Sequence, residues 1–384
     1  FRQHHLTTTT GTPMDFTLDE SSQAVADLTA QILADQVDHQ RSQQLEYGDD
    51  PRFDRDLWAA LAQAGVLSVT LPEDNDGSGL GAIALGALLE TAGRFVPPVP
   101  LLETVGMAAP TLVKYGSAEQ RDAWLTPLGA GTTIVVAALQ EDLAYPEHPV
   151  TTAEKSGDDY VLNGTKICVP AGQIADGLIV SATFDGQPAL FIVPVNSPGV
   201  DVEALVTTAR WPDANVTLDS VSVPSTSRIG EDVDPQTLLS DALDFAIVSQ
   251  CAYGVGVMGE ALSLTSSYTK TRKQFDQPIA SFQAVAHRAA DAYIDTESIT
   301  LTTRQAIWRI AEGLPARREV AVAKYFLADA GQRIVHAAQH LHGGIGVDRD
   351  YPLHRYFFAA KQLELYLGGT TESLARIGKL LAAS

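Results

Sequence analysis

The chain has 384 residues, of which 45% are hydrophobic and 19% are charged, a composition typical of a globular protein with two or three domains. There are 47 acidic residues and only 26 basic ones, which gives a net charge of −21. That charge argues against nucleic acid and anionic membranes as partners, although a local basic pocket can still hold an anionic ligand.

The number of cysteines and the hydropathy of the chain restrict the class of protein further. Cys168 and Cys251 are too few for a disulfide framework, which predicts a cytoplasmic protein. No apolar run approaches the ~20 residues of a membrane span, and no basic start followed by an apolar core indicates a signal peptide. Residues 1–13, with a His pair and a Thr run, are expected to be a tail outside the fold. No metal site is predicted.

The first predicted unit is helical and covers residues 14–130. Asp19 and Ser21-Ser22 offer N-cap chemistry before apolar residues that recur at helical spacing. Ser117 is a second expected N-cap, and the stretch 71–80, rich in Asp, Gly and Ser, is expected to be a loop.

A β domain is predicted over residues 131–230. Short β-branched runs such as 134–136, 178–180 and 190–193 are separated by expected turns at Asn163-Gly164 and Asp185-Gly186. We expect these strands to form a β-barrel.

Long helical patterns return over residues 231–384, with apolar faces that recur every three or four residues. Several long helices with short breaks predict an antiparallel four-helix bundle. The order helix, strand, helix makes the predicted fold class α+β.

Two motifs in the last unit carry chemistry. The first begins at Arg272 and runs through Gln274 and Phe275 to Gln283, and the second contains Gly343-Gly344. A guanidinium offers paired N–H donors to phosphate, and glycine lets the backbone approach a ligand closely. Together they indicate a site for a phosphate-bearing cofactor.

These motifs, in this order, resemble the C-terminal domain of acyl-CoA dehydrogenases, FAD enzymes that desaturate acyl-CoA thioesters. The resemblance covers about residues 14–384. Further matching stretches are Phe53–Trp58, Gly164–Lys166, Asp219–Pro224 and Gly369–Glu372.

The resemblance implies a carboxylate base at one of two positions, and both lack one. The position before Gly369-Thr370 holds Gly368, or Leu367 under a one-residue shift, and the position on the helix before Arg272 holds Ala246. Neither side chain at these positions can accept a proton, so no catalytic residue is assigned. Asp244 and Asp241 are interpreted as solvated helix acids.

The implied flavin-ring pocket also departs from the family pattern. The family's Thr-Glu-Pro and Gly-Ser-Asp region corresponds to Gln140–Pro146. Cys168 replaces the usual Trp after Gly164–Lys166, and Pro170 removes a backbone donor.

The implied FAD phosphate and adenine contacts are retained. In this family they reach FAD held mainly by a neighbouring subunit. By resemblance, FAD contacts are assigned to Arg272, Gln274, Phe275, Gln283, His340, Gly343, Gly344, Thr370 and Glu372.

The FAD phosphate and adenine contacts are retained, whereas the base and flavin-ring residues are lost. This difference predicts a heteromer in which the chain lends FAD-binding residues to a homologous catalytic partner. The chain resembles the base-lacking subunit of actinobacterial α2β2 acyl-CoA dehydrogenases, which implies a bulky steroid side-chain acyl-CoA substrate and an electron-transfer acceptor. Two alternatives stay open: a homotetrameric enzyme with a displaced base, Asp244 or Glu364, and a flavin-free scaffold.

Overall fold

A computed structural model describes residues 14–382, so the expected tail over residues 1–13 lies outside the described residues. Six α-helices of the described chain precede the sheet. They are α1 to α6: Glu20–Gln36, His39–Glu46, Arg55–Gln63, Ala82–Gly93, Ala109–Tyr115 and Ala118–Gly129. A fully buried π-helical segment, Leu101–Ala108, leads directly into α5.

Side-chain caps explain where several helices begin. The Asp19 carboxylate accepts a hydrogen bond from the backbone N–H of Ser22 at the start of α1. Ser117 and Gln120 form a reciprocal capping box at the start of α6. Such caps satisfy N–H groups that have no partner within the helix. The predicted N-caps Asp19 and Ser117 are therefore confirmed, whereas Ser21 and Ser22 lie inside α1 and are not its cap.

Eight strands form one mixed sheet in the middle of the described chain. They are β1 to β8: Val135–Ala138, Thr152–Ser156, Asp159–Val169, Gly177–Phe184, Gln187–Pro194, Val200–Ala204, Ala214–Pro224 and Arg228–Ile229. Their order is β6-β7-β3-β2-β4-β5-β8, and β1 pairs in parallel with β4. The runs predicted at 134–136, 178–180 and 190–193 lie in β1, β4 and β5.

One expected turn is wrong. Asp185-Gly186 does connect β4 to β5, with positive φ at both residues. Asn163-Gly164 lies inside β3 instead, where a register shift between Leu162 and Gly164 marks a bulge. A Cβ at Gly164 would lie 2.4 Å from the hydroxyl oxygen of Thr151. Glycine is therefore needed at this position because two chain segments approach each other closely. Local sequence does not reveal that approach.

The remaining elements form the C-terminal bundle. They are α7 Pro235–Thr271, the hairpin β9 Lys273–Gln274 and β10 Gln277–Pro278, then α8 Gln283–Ala311, α9 Arg317–His342, α10 Leu353–Leu365 and α11 Thr370–Ala382. Helices α7 to α10 pack together as the predicted four-helix bundle, and α11 packs on α9. The α+β class is confirmed.

Helix α7 is the central element of this bundle. By length and composition it is apolar enough to cross a membrane, contrary to the expectation that no segment approaches a span. However, 89% of its most apolar window is buried within the fold. Its hydropathy is therefore that of a core helix packed on other helices.

Candidate functional site

The two phosphate-binding motifs meet at one end of the bundle. The ring of Tyr268, in the last turn of α7, stacks on the ring of His342 at the end of α9, with 4.5 Å between centroids. Arg272 follows Tyr268 by one turn and donates its backbone N–H to the Tyr268 carbonyl. Gly343 follows His342 directly. The Tyr268–His342 stack therefore places Arg272 and Gly343-Gly344 at the same end of the bundle.

The Arg272 guanidinium is available for a ligand. The side chain is exposed, and among residues 14–382 no carboxylate forms an ion pair with it. A free guanidinium can make two parallel hydrogen bonds to one phosphate.

A tight hairpin presents Phe275 beside this cation. Phe275 and Asp276 both have positive φ, as a two-residue hairpin turn between β9 and β10 requires. The Phe275 ring is 88% exposed and contacts the ring edge of Phe282. An aromatic ring held out in this way is a platform for a flat ligand rather than part of the core.

Gly343 and Gly344 leave the backbone open. Gly343 ends α9 with a φ of 66°, a conformation that favours glycine. A Cβ built on either glycine would meet no atom within 4 Å. Gly343 thus caps the C-terminus of α9, and the open space leaves both glycines accessible to a ligand.

Two further predicted residues join this cluster. Gln283 is the first residue of α8, and N–H groups of a helix's first turn lack intrahelical acceptors. His340 accepts a hydrogen bond at Nδ1 from the Arg288 guanidinium, 2.8 Å away. Its proton must then sit on Nε2, which leaves one donor directed away from the arginine.

Thr370 and Glu372 lie elsewhere. Glu372 accepts a hydrogen bond from the Gly369 N–H at the start of α11. This segment lies near the middle of α7, because Lys324 bridges Gln250 of α7 to the Tyr366 carbonyl. Gln250 is 22 residues from Arg272, or roughly 33 Å along a helix. The nine assigned residues therefore form two separate groups.

Neither implied base position offers a proton acceptor in the structure. Ala246 is fully buried in α7. Gly368 has a φ of 102°, and a Cβ there would lie 3.0 Å from Glu372 Cβ. Any side chain at position 368 would be strained.

The space beside Ala246 is closely packed. Gln250 and Tyr253 share its face of α7, and the Tyr253 ring contacts the Trp211 ring. A cavity of only about 10 Å³, about one water molecule, is lined by Tyr253, Trp211 and Glu103. This cavity beside Tyr253 is too small for an acyl chain.

Glu103 lines this small cavity, and a second buried acid, Asp213, follows its lining residue Pro212. Burial raises the pKa of Glu103 to about 8 and that of Asp213 to about 7. Asp213 accepts a hydrogen bond from the Gln362 amide at 2.6 Å, while its second oxygen, Oδ1, has no hydrogen-bond partner among residues 14–382. These acids were not predicted, because their isolated positions in the sequence carry no motif.

The two displaced-base candidates are held by cations. Asp244 was interpreted as a solvated acid, which is wrong: it is 6% exposed and lies 3.0 Å from Arg376. Burial raises its pKa to about 6. Glu364 lies 2.5 Å from Lys361. Asp241 is also partly buried and bonds Lys114 and Tyr115.

The implied flavin-ring edge is joined to the implied base segment. The Gln140 amide oxygen accepts a hydrogen bond from the Leu367 N–H at 3.1 Å, and its carbonyl accepts from Ile167. The Cys168 N–H donates to the Asn215 side chain. Backbone donors at this edge are therefore used inside the chain.

Comparison with known proteins decides the family. Residues 19–132 match the acyl-CoA dehydrogenase N-terminal domain model, and residues 237–379 match the C-terminal domain model. The chain belongs to the acyl-CoA dehydrogenase family. Acyl-CoA dehydrogenase FadE27 of Mycobacterium tuberculosis is 40% identical over 377 residues, covering 96% of this chain and 99% of the relative. FadE28 of the same organism is 31% identical, covering 95% and 98%.

Two solved acyl-CoA dehydrogenase structures are similar along nearly the whole chain. The ChsE4-ChsE5 complex from Mycobacterium tuberculosis matches with a TM-score of 0.91 and 39% identity, covering 97% of this chain and 100% of that one. A variant of the Tcur3481-Tcur3483 steroid enzyme matches with a TM-score of 0.90 and 41% identity, covering 96% and 99%. This chain thus resembles subunits of heteromeric acyl-CoA dehydrogenases.

FAD is the cofactor of this family, and the cluster around Arg272 fits it. The unpaired guanidinium suits a diphosphate, the exposed Phe275 ring suits a flat ring, and Gly343-Gly344 leave open backbone. At the implied base and flavin-ring positions, Ala246 is fully buried and the Gln140 amide is bonded to Leu367 within the chain.

Proposed function

We propose that this chain is the non-catalytic subunit of a heteromeric FAD-dependent acyl-CoA dehydrogenase. One contrast carries the proposal. The cluster around Arg272 is exposed and unpaired within residues 14–382, whereas both base positions hold residues without a proton acceptor, Ala246 and Gly368. A chain with an open phosphate site and a packed catalytic region is suited to complete another subunit's site.

The reaction is the α,β-desaturation of a bulky acyl-CoA thioester, with a steroid side chain as the substrate class. Similarity to a steroid acyl-CoA dehydrogenase and to the ChsE4-ChsE5 complex supports this class and an α2β2 assembly. The partner is a homologous subunit that carries the base. A cytoplasmic location stays a prediction.

The role of this chain is to bind and orient FAD. FAD supplies the hydride acceptor when bound. Arg272 neutralises the diphosphate, and Gly343 and Gly344 let it approach the backbone. Phe275 covers a ring, while Gln274, Gln283 and the Nε2–H of His340 donate hydrogen bonds. The separate group near the middle of α7, Thr370 and Glu372, is proposed to make further contacts with FAD.

Flavin stoichiometry tests this function. The chain is co-expressed with the homologous partner, and flavin absorbance is compared with the amount of each chain in the purified complex. We expect half an FAD per chain, with activity only in the complex. One FAD per chain, or an active yellow protein from this chain alone, would contradict the proposal.

The variant Arg272→Gln tests the proposed phosphate contact in the same co-expressed complex. Because hydrogen bonds to charged groups contribute about 1.5–3 kcal/mol, FAD affinity of the complex should fall roughly 10- to 100-fold. Arg210→Gln is the matched control: it removes an exposed guanidinium that lies over the Tyr47 ring, away from the cluster. Equal FAD affinity in both variants would remove Arg272 from the site.

A further inference from the structure

An apolar pocket lies on the face of α7 that turns away from Ala246. It has a volume of about 200 Å³ between α4, α5, α7 and α8, with walls that include Leu85, Leu89, Val113 and Ile307. Apolar cavities of about 150 Å³ exclude water and bind small hydrocarbons. The pocket is therefore large enough to hold an apolar group.

The pocket is separate from the family's catalytic region. Its α7 wall consists of Phe245, Val248, Ser249 and Ala252, whose spacing of three or four residues puts them on one helix face. Ala246 lies on a different face, with Tyr253. A molecule bound in the pocket would contact neither the base position nor the residues packed around it.

A cation marks the mouth of the pocket. Lys114 lines it, with its side chain 50% exposed and its ammonium 5.6 Å from the centroid of the Phe245 ring. Lys114 and Phe245 also line an adjoining polar cavity of about 760 Å³. Four cationic and three acidic side chains line that cavity. A slightly positive mouth thus opens from an apolar pocket on a chain of net charge −21.

We propose that this pocket binds a medium-chain fatty acid anion. Its alkyl chain would fill the apolar pocket and its carboxylate would contact Lys114. The volume of about 200 Å³ exceeds the roughly 150 Å³ of a cavity that binds a small hydrocarbon, so an alkyl chain of intermediate length fits the pocket. A neutral chain would leave Lys114 unused.

Asp241 already bonds Lys114, so the ligand must share that cation. The Asp241 carboxylate also accepts a hydrogen bond from the Tyr115 hydroxyl at 2.5 Å and lies 3.7 Å from Arg317. It therefore keeps partners when Lys114 turns to a ligand. The lysine side chain, half exposed, has the freedom to do so.

Calorimetry on the full chain, purified with its partner subunit, tests the proposal with sodium octanoate as the probe. We expect saturable binding of octanoate, with octyltrimethylammonium at least tenfold weaker because its head is cationic. FAD content should stay unchanged, because the pocket is distant from Arg272. Failure of octanoate to saturate the wild-type protein would overturn the proposal.

Pocket-filling variants locate the binding. Ala252→Leu should abolish octanoate binding, whereas Ala59→Leu, on the exposed face of α3, should leave it intact. Leu85→Phe fills the pocket from α4 and replaces the first variant if that one does not fold. Octanoate binding that survives in a folded filled variant would place it elsewhere.

A second pair of variants tests the head group. Lys114→Met should weaken octanoate binding about tenfold while leaving octanol binding unchanged, because only the carboxylate uses the cation. Lys155→Met removes an exposed lysine of β2 and serves as the control. Equal loss of octanoate and octanol binding in Lys114→Met would reject the assigned contact.

Discussion

Arg272 differs from most arginines of this chain in what surrounds it. Arg41 bonds Asp54, Arg333 bonds Asp295, and Arg355 bonds Glu46. Such pairs compensate the charge inside the chain, so a ligand must compete with the acid for the cation. Arg272 follows a helix end and precedes a hairpin, and no acid contacts it within residues 14–382. Its charge remains available for a phosphate.

Glu103 illustrates the opposite case, an acid isolated from compensation. It lies in the buried π-helical segment, and burial raises its pKa to about 8, with the nearby Asp213 adding a smaller rise. A carboxyl in such a place is neutral at pH 7. It acts in folding as a buried polar group rather than as a base.

The pH dependence of the free energy of unfolding should therefore report the ionisation of the Glu103 carboxyl. Its ordinary pKa is 4.5 and its folded pKa is about 8, so between these values the folded state binds more protons than the unfolded state. Stability then falls as pH rises from about 4.5 to 8. We expect Glu103→Gln to match the wild type near pH 5 and to melt higher at pH 9.

Thermal unfolding from pH 5 to pH 9 measures this difference. Asp213, whose pKa is raised to about 7, leaves a residual slope of the same sign in the variant. Asp74→Asn changes an exposed acid of the 71–80 segment and should leave the slope unchanged. A Glu103→Gln variant with the full wild-type slope would contradict the assigned pKa.

At the scale of elements, α7 links the two groups of predicted site residues. Its C-terminal end carries Arg272, and its middle is tied by Gln250 and Lys324 to the carbonyls of Leu363 and Tyr366. The buried Lys324 ammonium thus caps the end of α10 and fixes the segment that holds Gly368. A charge buried with three acceptors stabilises one geometry of this segment.

This packing predicts that restoring a base does not restore catalysis in this chain. Ala246→Glu places a carboxyl where the exposed fraction is zero, and Gly368→Glu adds a side chain at a φ of 102°. Ala246 is enclosed by packed side chains and Gly368 lies against Glu372, so neither added carboxyl has a prepared position. We expect no new desaturation in complexes whose partner base is disabled.

Flavin reduction by acyl-CoA measures the outcome in those complexes. The disabled partner without either substitution gives the background rate. Circular dichroism establishes that each variant is folded. Reduction well above background in a folded Ala246→Glu or Gly368→Glu variant would show that this chain retains an acyl site.

For the whole molecule, α8 leaves an apolar face uncovered. Tyr293, Ile294 and Leu301 are 57%, 61% and 52% exposed on this one helix. Exposed apolar groups gathered on one face indicate a protein interface. The face lies on the same bundle as the Arg272 cluster, which agrees with a partner subunit packed there.

Ile294→Asp should therefore weaken assembly. A carboxylate buried in an apolar interface loses its hydration without a partner, so we expect loss of partner chain in a pull-down and a smaller particle in light scattering. Val206→Asp is the control, since Val206 is 83% exposed between β6 and β7. Unchanged assembly of Ile294→Asp would exclude this face.

Local sequence alone determined much of this protein. The element types followed from three local signals, because each depends on residues close in the chain. These are the side-chain caps at Asp19 and Ser117, the β-branched runs of β1, β4 and β5, and the long apolar periodicities. The family followed from the same local motifs. The strands β2 and β6 were not predicted, since they are polar and largely exposed.

Only the tertiary structure decided which groups are free and which are paired. Arg272 and Asp244 are both charged residues of the α7 region, yet one is exposed without a partner and the other is buried against Arg376. Their partners lie far away in sequence, so no local pattern reveals them. Burial and long-range pairing, which set pKa and ligand access, depend on how distant elements pack.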